Sequence, residues 1–346
     1  MTKENRAAYL TDIARIEIGP APEMHMGPAD ICLRMEYVGV CGSDVHFYQS
    51  CERKGKRFAL PFILGHECAG TVETVGSEVT SLHPGDRVCI EPQITCGVCK
   101  MCKSGHYNMC PHVIFPSVPP YDGMLRNYAV LPAQNAFKLP DNVSTKEGAL
   151  IEPLAVGLSA ASRGEVSLGK RVVILGSGCI GLTTMLACRA MGASKIMVVD
   201  LFENRLAKAL ELGADEVVNA SNEDVTQRVM QMTNGEGADV VFETAGSPHT
   251  AAQTPDLVCR CGIIVMVGNI NAPTPYRFMD LMYREAEVRT IYRYRNNFAM
   301  ALEAVSSGQI PISKIVSNTY DFEQTQQAFD FCANHKQEVI KSVIKF

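Results

Sequence analysis

The sequence has no excess of positive charge. Its 32 lysines and arginines are outnumbered by 37 aspartates and glutamates, a formal balance of −5. The basic face of a nucleic-acid-binding protein is therefore not expected. No apolar run reaches the roughly 18 to 20 residues that cross a bilayer, so no membrane segment is expected either. The opening MTKENRAAYL lacks the basic-then-apolar layout of a secretory signal. These absences together predict a cytoplasmic location. Charged residues are 20% of the chain and apolar ones 47%, an ordinary globular composition. A length of 346 residues suffices for two domains, each with its own core.

Cysteine, by contrast, is plentiful. Fourteen cysteines without a secretory signal suggest a reducing compartment and roles as free thiols or metal ligands. Four of them lie in CGVCKMCKSGHYNMC: Cys96, Cys99, Cys102 and Cys110, spaced C-x2-C-x2-C-x7-C. Steps of three residues let the thiolates converge on one small volume. Tetrahedral zinc takes four such sulfurs, and a site closed by four protein ligands has no position for substrate. Gly97 and Gly105 suit the tight loop this needs. The competing reading is a surface loop of reduced cysteines, which would be prone to oxidation unless capped by a metal. His106 is a spare donor that four sulfurs make unnecessary. The stretch predicts a structural zinc, and the chemistry is then to be sought elsewhere.

A second constellation lies upstream. CGSDVH contributes Cys41, Ser43, Asp44 and His46, and LPFILGHECAGTVETVG contributes His66 and Glu67. One thiolate, one imidazole and one carboxylate make a plausible three-ligand zinc site. Such a set leaves the fourth position to water or substrate, as catalytic zinc requires. Each residue alone would more often be structural. Cys68 and Cys89 have no comparable setting and are read as core thiols.

GKRVVILGSGCIGLTTMLACRAMGASKIMVVD reads as strand, turn, helix, strand. RVVIL is a continuous β-branched apolar run fit for a buried parallel strand. Gly176, Gly178 and Gly181 follow as G-x-G-x-x-G, for a tight turn, backbone approach to pyrophosphate and close helix packing. The helix N-terminus favours the anion. Asp200 ends the next strand nineteen residues after Gly181, where a carboxylate accepts bonds from ribose and repels a 2′-phosphate. This favours NAD over NADP, with Arg205 flanking adenine or ribose. ADEVVN, ADVVFETAG and GIIVMVGN extend the pattern into a doubly wound sheet.

These residues together resemble the zinc-dependent medium-chain dehydrogenase/reductase family over essentially the whole chain. GHECAGTVETVG is similar to its zinc signature, and CGSDVH, LPDNVSTKEGALIEPLAVG, NRLAKALELGAD and YRYRNN resemble its polyol dehydrogenase branch. The resemblance implies an α/β chain of two domains. One is a GroES-like, β-rich catalytic domain of residues 1–154 and 291–346, with a structural-zinc lobe at 91–112. The other is a Rossmann domain with a doubly wound parallel sheet at 155–290. It also implies two zinc ions, NAD, a small polyol or ketose as substrate, and a dimer or tetramer.

Carried over by position, Cys41, His66 and Glu67 resemble the catalytic zinc ligands. Glu152 reaches the metal directly or through water, and Asp44 orients the ligand histidine. Ser43 and His46 resemble proton-relay positions. Phe47, Arg293 and Tyr294 fall near substrate, and Ile180, Val267, Gly268 and Asn269 line the cofactor. Phe47 stands where sorbitol dehydrogenases often have a substrate-contacting tyrosine, and the adjacent Tyr48 is a doubtful replacement. The implied reaction is reversible oxidation of a sugar alcohol to a ketose. Threonine and butanediol dehydrogenases are rivals built from the same parts, and a non-catalytic zinc-ribbon or NAD-binding interaction protein is the rival of another class.

Overall fold

The computed structural model describes residues 4–346. The chain divides into two units, 1–152 with 298–306 and 316–346, and 153–297 with 307–315.

The second unit is built on the predicted apolar runs. Arg171–Leu175, Lys195–Asp200, Glu216–Asn219, Ala238–Glu243, Val258–Met266 and Glu287–Thr290 form one parallel sheet. Counted along the chain, their spatial order is 3-2-1-4-5-6. That order reverses direction between the first and fourth strands, and in such sheets ligands bind at the carboxyl ends beside the reversal. Gly176 and Thr244 stand there. Val172, Val173, Ile174 and Leu175 have no exposed surface, which explains why RVVIL shows no polar alternation. A Cβ on Gly181 would lie 1.9 Å from the Gly176 carbonyl oxygen, so only glycine lets the helix Cys179–Ala190 start this close to the first strand.

The first unit is mainly antiparallel. Its largest sheet centres on Asp30–Val40, flanked by Glu67–Val75 on one side and Lys341–Lys345 on the other. The C-terminal strand thus pairs with a strand from near the beginning of the chain. A separate three-stranded sheet is centred on Arg6–Asp12. Leu10, Ile31, Leu33, Val38, Ile63 and Phe329 lie in the core of this unit.

In the LPDNVSTKEG stretch, Ser144 and Glu147 form a reciprocal capping box on the short helix Thr145–Gly148. The next helix, Ile151–Arg163, carries Glu152 in its first turn. The expected boundary at residue 291 differs from the observed one. Residues 291–297 and 307–315 belong with the parallel-sheet unit. The chain leaving the sixth strand stays there through Asn297, whose amide donates to the Ala155 carbonyl at 3.2 Å. Among the described residues no helix is long and apolar enough to cross a membrane.

Candidate active site

Four sulfurs gather where the spacing predicts. Cys99 Sγ is 3.5 Å from Cys102 and 4.0 Å from Cys110, while Cys96 is 3.6 Å from Cys110 and 4.0 Å from Cys102. Ligands at the corners of a tetrahedron with Zn–S of about 2.3 Å stand about 3.8 Å apart. The donor set therefore fits zinc. Gly97 and Gly105 adopt the positive φ the loop requires, 69° and 75°. Four thiols this close cannot ionise together without a cation. Backbone N–H groups of Val98 and Cys99 pull the Cys96 pKa down to about 6. Desolvation and hydrogen bonding with Cys99 and Cys110 push Cys102 up to about 11. His106 stays outside the group, with Nδ1 beside Ser104.

The second set assembles from separate elements. One donor atom each from Cys41, His66 and Glu67 lies within 4.8 Å of the others. Cys41 caps the helix Gly42–Ser50, and Glu67 opens the strand Glu67–Val75. Asp44, fully buried, places Oδ2 3.5 Å from His66 Nδ1 and accepts a hydrogen bond from the Ser117 hydroxyl. A carboxylate facing one imidazole nitrogen is the arrangement that orients a metal-ligand histidine. Burial alone would raise the Asp44 pKa, but the charge of His66 and the hydrogen bond from Ser117 keep it below the usual value. Burial would lower that of His66, yet Asp44 and Cys41 raise it well above normal. Thiolate, imidazole and carboxylate, the first half-buried and the other two buried, are a fitting donor set for zinc with an open position.

Glu67 has a partner that sequence reasoning missed. Both its oxygens accept from Lys341 Nζ, at 2.7 and 2.6 Å, and the side chains of lysine and glutamate are 3% and 1% exposed. Gly39 faces Glu67 across the sheet, and a Cβ there would meet Glu67 Oε2 at 2.1 Å.

Glu152 is not part of this three-residue group. It is 6% exposed and belongs to the same unit. Burial pushes the nearby Cys68 thiol up to about 12, and Glu152 and Glu67 act in the same direction, so Cys68 stays a neutral bystander. Ser43 is half-buried and His46 exposed on the helix Gly42–Ser50. Phe47 packs edge-on against Phe58, with ring centroids 5.6 Å apart. Tyr48 turns the other way. Its hydroxyl donates to Asp330 at 2.6 Å and receives Gln326, so it does not replace a tyrosine at position 47.

In the parallel-sheet unit, a cavity of about 730 Å³ is lined by Gly176, Gly178, Asp200, Phe202, Arg205 and Thr244, among others. The Asp200 carboxylate accepts from the backbone N–H groups of Ser177, Leu201 and Phe202 at 2.6–3.1 Å. Arg205 Nη1 stands 4.0 Å from it, with the guanidinium over the Phe202 ring. Val267 and Gly268 donate backbone N–H bonds to the Glu243 carbonyl, and Asn269 follows, exposed. They sit at the same carboxyl edge as Gly176. Ile180 is half-buried in the first turn of the fingerprint helix. Glu243, fully buried and bound by Thr250 and the Gly246 N–H, went unnoticed in the sequence. Arg293 and Tyr294 belong to this unit; Tyr294 has no exposed surface, and Arg293 lies over Tyr292.

A parallel-sheet dinucleotide fold joined to a β-rich unit with two zinc-type donor sets defines the class. Residues 27–141 match the alcohol dehydrogenase GroES-like domain, and 179–307 match the zinc-binding dehydrogenase domain. The chain is 41% identical to a sorbitol dehydrogenase of Arabidopsis thaliana, covering 96% of this chain and 93% of that one. It is 40% identical to an L-idonate 5-dehydrogenase of Vitis vinifera, covering 96% and 92%. A solved structure of an Escherichia coli oxidoreductase/dehydrogenase of unknown specificity superposes with a TM-score of 0.94 at 44% identity, over 99% of both chains. The chain belongs to the zinc-dependent medium-chain dehydrogenase family, in its polyol dehydrogenase branch, and is an oxidoreductase of the alcohol dehydrogenase type.

Replacing Lys341 with Met leaves the Glu67 carboxylate buried without its cation. Breaking such a pair costs about 3–5 kcal/mol. Urea unfolding should show a loss of that order, and adding Glu67→Gln should recover much of it. An unchanged midpoint in the single variant would refute this account of the pair.

Proposed function

We propose that the chain is a zinc-dependent, NAD-linked polyol dehydrogenase that interconverts a sugar alcohol and a ketose. The observation that carries the reading is the convergent Cys41, His66 and Glu67 donor set, in a chain that also carries the Asp200 dinucleotide cavity. Zinc held by Cys41, His66 and Glu67 would supply a Lewis acid for the substrate hydroxyl, and NAD held in the Asp200 cavity would supply a hydride acceptor. The chain's own residues do the rest. Asp44 fixes the His66 ring. Ser43 and His46 are three positions apart on one helix, hence on one face, the first half-buried and the second exposed. That pair is suited to pass a proton outward to solvent. Glu152 serves as a further acceptor beside the substrate hydroxyls. Asp200, locked by three backbone donors, accepts from the adenosine ribose.

The relatives named for sorbitol and L-idonate support a polyhydroxylated substrate. An assembly of identical chains is part of the same proposal. Glu287–Thr290 is one of the two unpaired edges of the parallel sheet, and Phe278, Met279, Met282 and Tyr283 before it are 53–71% exposed. An apolar strip beside an open edge suits pairing with a second copy.

Three measurements test the proposal. Metal analysis of the fully loaded protein should find two zincs per chain, and Cys99→Ser should lose one while destabilising the 91–112 lobe. One zinc in the intact protein would overturn the assignment of one set. Asp200→Ser should shift preference toward NADP by about tenfold, the factor that 1.4 kcal/mol of relieved repulsion gives. An unsubstituted protein that already prefers NADP contradicts the role of Asp200. Finally, kcat/KM with NAD should favour sorbitol or xylitol over threonine and 2,3-butanediol. A clear win for either of the latter sinks the polyol reading and leaves the fold and metal sets standing.

A further inference from the structure

Between the helix that carries Ser43 and the His66–Glu67 pair, the chain makes a small basic hairpin. Glu52–Arg53 and Lys56–Arg57 pair antiparallel, with Lys54 and Gly55 at positive φ in a two-residue turn. The register sets Arg53 directly opposite Lys56, and like charges in that relation repel. Glu52 and Arg57 form the neighbouring pair, and Arg57 is already bound to Asp12 at 2.7 Å. Among the described residues neither Arg53 nor Lys56 has a carboxylate at ion-pair distance. Arg53 donates instead to the Pro119 carbonyl, a neutral acceptor.

Arg53, Lys56 and Arg57 line a recess of about 440 Å³ with Phe58, Pro119 and Asp122. Asp122 is the carboxylate in its wall, and one of its oxygens is taken by the Ile63 N–H at 3.0 Å. Cationic charge therefore exceeds anionic charge in the recess. Two of its walls adjoin elements that carry residues of the metal site. Phe58 packs on Phe47, which lies on the helix Gly42–Ser50 about one turn beyond Ser43. Pro119 lies just after Ser117, whose hydroxyl binds Asp44 and receives the Gly65 N–H at 2.8 Å.

We propose that Arg53 and Lys56 form an anion subsite, and that the substrate is a polyhydroxylated chain ending in a carboxylate or a phosphate remote from the reacting hydroxyl. The inference rests on the polyol reading above and names its substrate class. An oxyanion placed between the two side chains converts a repulsive cross-strand pair into two charge-assisted hydrogen bonds, and the arginine fork suits either group.

The test is calorimetric titration of the zinc-loaded full chain with sorbitol, gluconate and sorbitol 6-phosphate. At least one anion should bind about tenfold more tightly than sorbitol, and the stronger of the two identifies the terminal group. The preference should weaken with added salt. Arg53→Met with Lys56→Met should abolish it and leave sorbitol binding unchanged. Because the pair repels itself, Lys56→Met should not lower the unfolding midpoint, which controls for folding. Sorbitol binding as tightly as both anions, or a preference that survives the double substitution, overturns the subsite. Binding is read without turnover, so a failed polyol panel and a failed anion subsite give separate results.

Discussion

The buried ion pair between Glu67 and Lys341 is the constraint on which the first unit depends. It joins residues 274 positions apart and ties the C-terminal strand into the largest sheet. Lys341 Nζ also donates to the Val40 carbonyl at 3.1 Å, one residue before Cys41. A single ammonium thus anchors one carboxylate of the Cys41, His66 and Glu67 donor set and the backbone leading to another of its members. Taking such charges out of water is costly unless each is fully satisfied. The bidentate contact, the Val40 carbonyl and the space left by Gly39 meet that condition.

The two donor sets differ in what their assembly requires. The four cysteines span fifteen residues, and local turns alone bring them to 3.5–4.0 Å. Loop closure over such short distances costs little entropy. The Cys41, His66 and Glu67 set has to be brought together by a helix start, a strand start and a sheet pairing to the C-terminal strand. Asp44, Ser117, Gly39 and Lys341 support it from elsewhere in the unit. A local set suits a structural clamp. A dispersed set, held by buried polar contacts, suits an open position whose geometry must be kept without a fourth protein ligand.

This difference explains what could be read in advance. Cys96, Cys99, Cys102 and Cys110 announce themselves because all the information lies in one stretch. RVVIL and the glycines after it do so because a strand buried on both faces loses its polar alternation and the turn admits only glycine. The three catalytic-type ligands were legible as residue types, through their resemblance to a known signature. Lys341, Ser117 and Glu243 were not, since a lone lysine, serine or glutamate acquires meaning only from a contact distant in sequence. Tyr48 shows the limit from the other side. One step along a helix rotates a side chain by about 100°, enough to send its hydroxyl to Asp330 instead of toward the surroundings of Phe47.

Substrate choice belongs to the same class of dispersed information, which is why overall likeness decides it poorly. The relatives named for sorbitol and for L-idonate are 41% and 40% identical, although one substrate is neutral and the other a sugar acid. Discrimination has to come from groups that meet the rest of the chain, and a charge difference is the largest physical distinction available there. A cation pair opposed across a two-residue turn can change with little effect on the core, because neither side chain packs in it. The hairpin at 52–57 is such an element, attached to the site through Phe58 and Phe47 but exposed along its own length. On the reading proposed above, specificity would rest on an element separate from both donor sets and from the dinucleotide cavity.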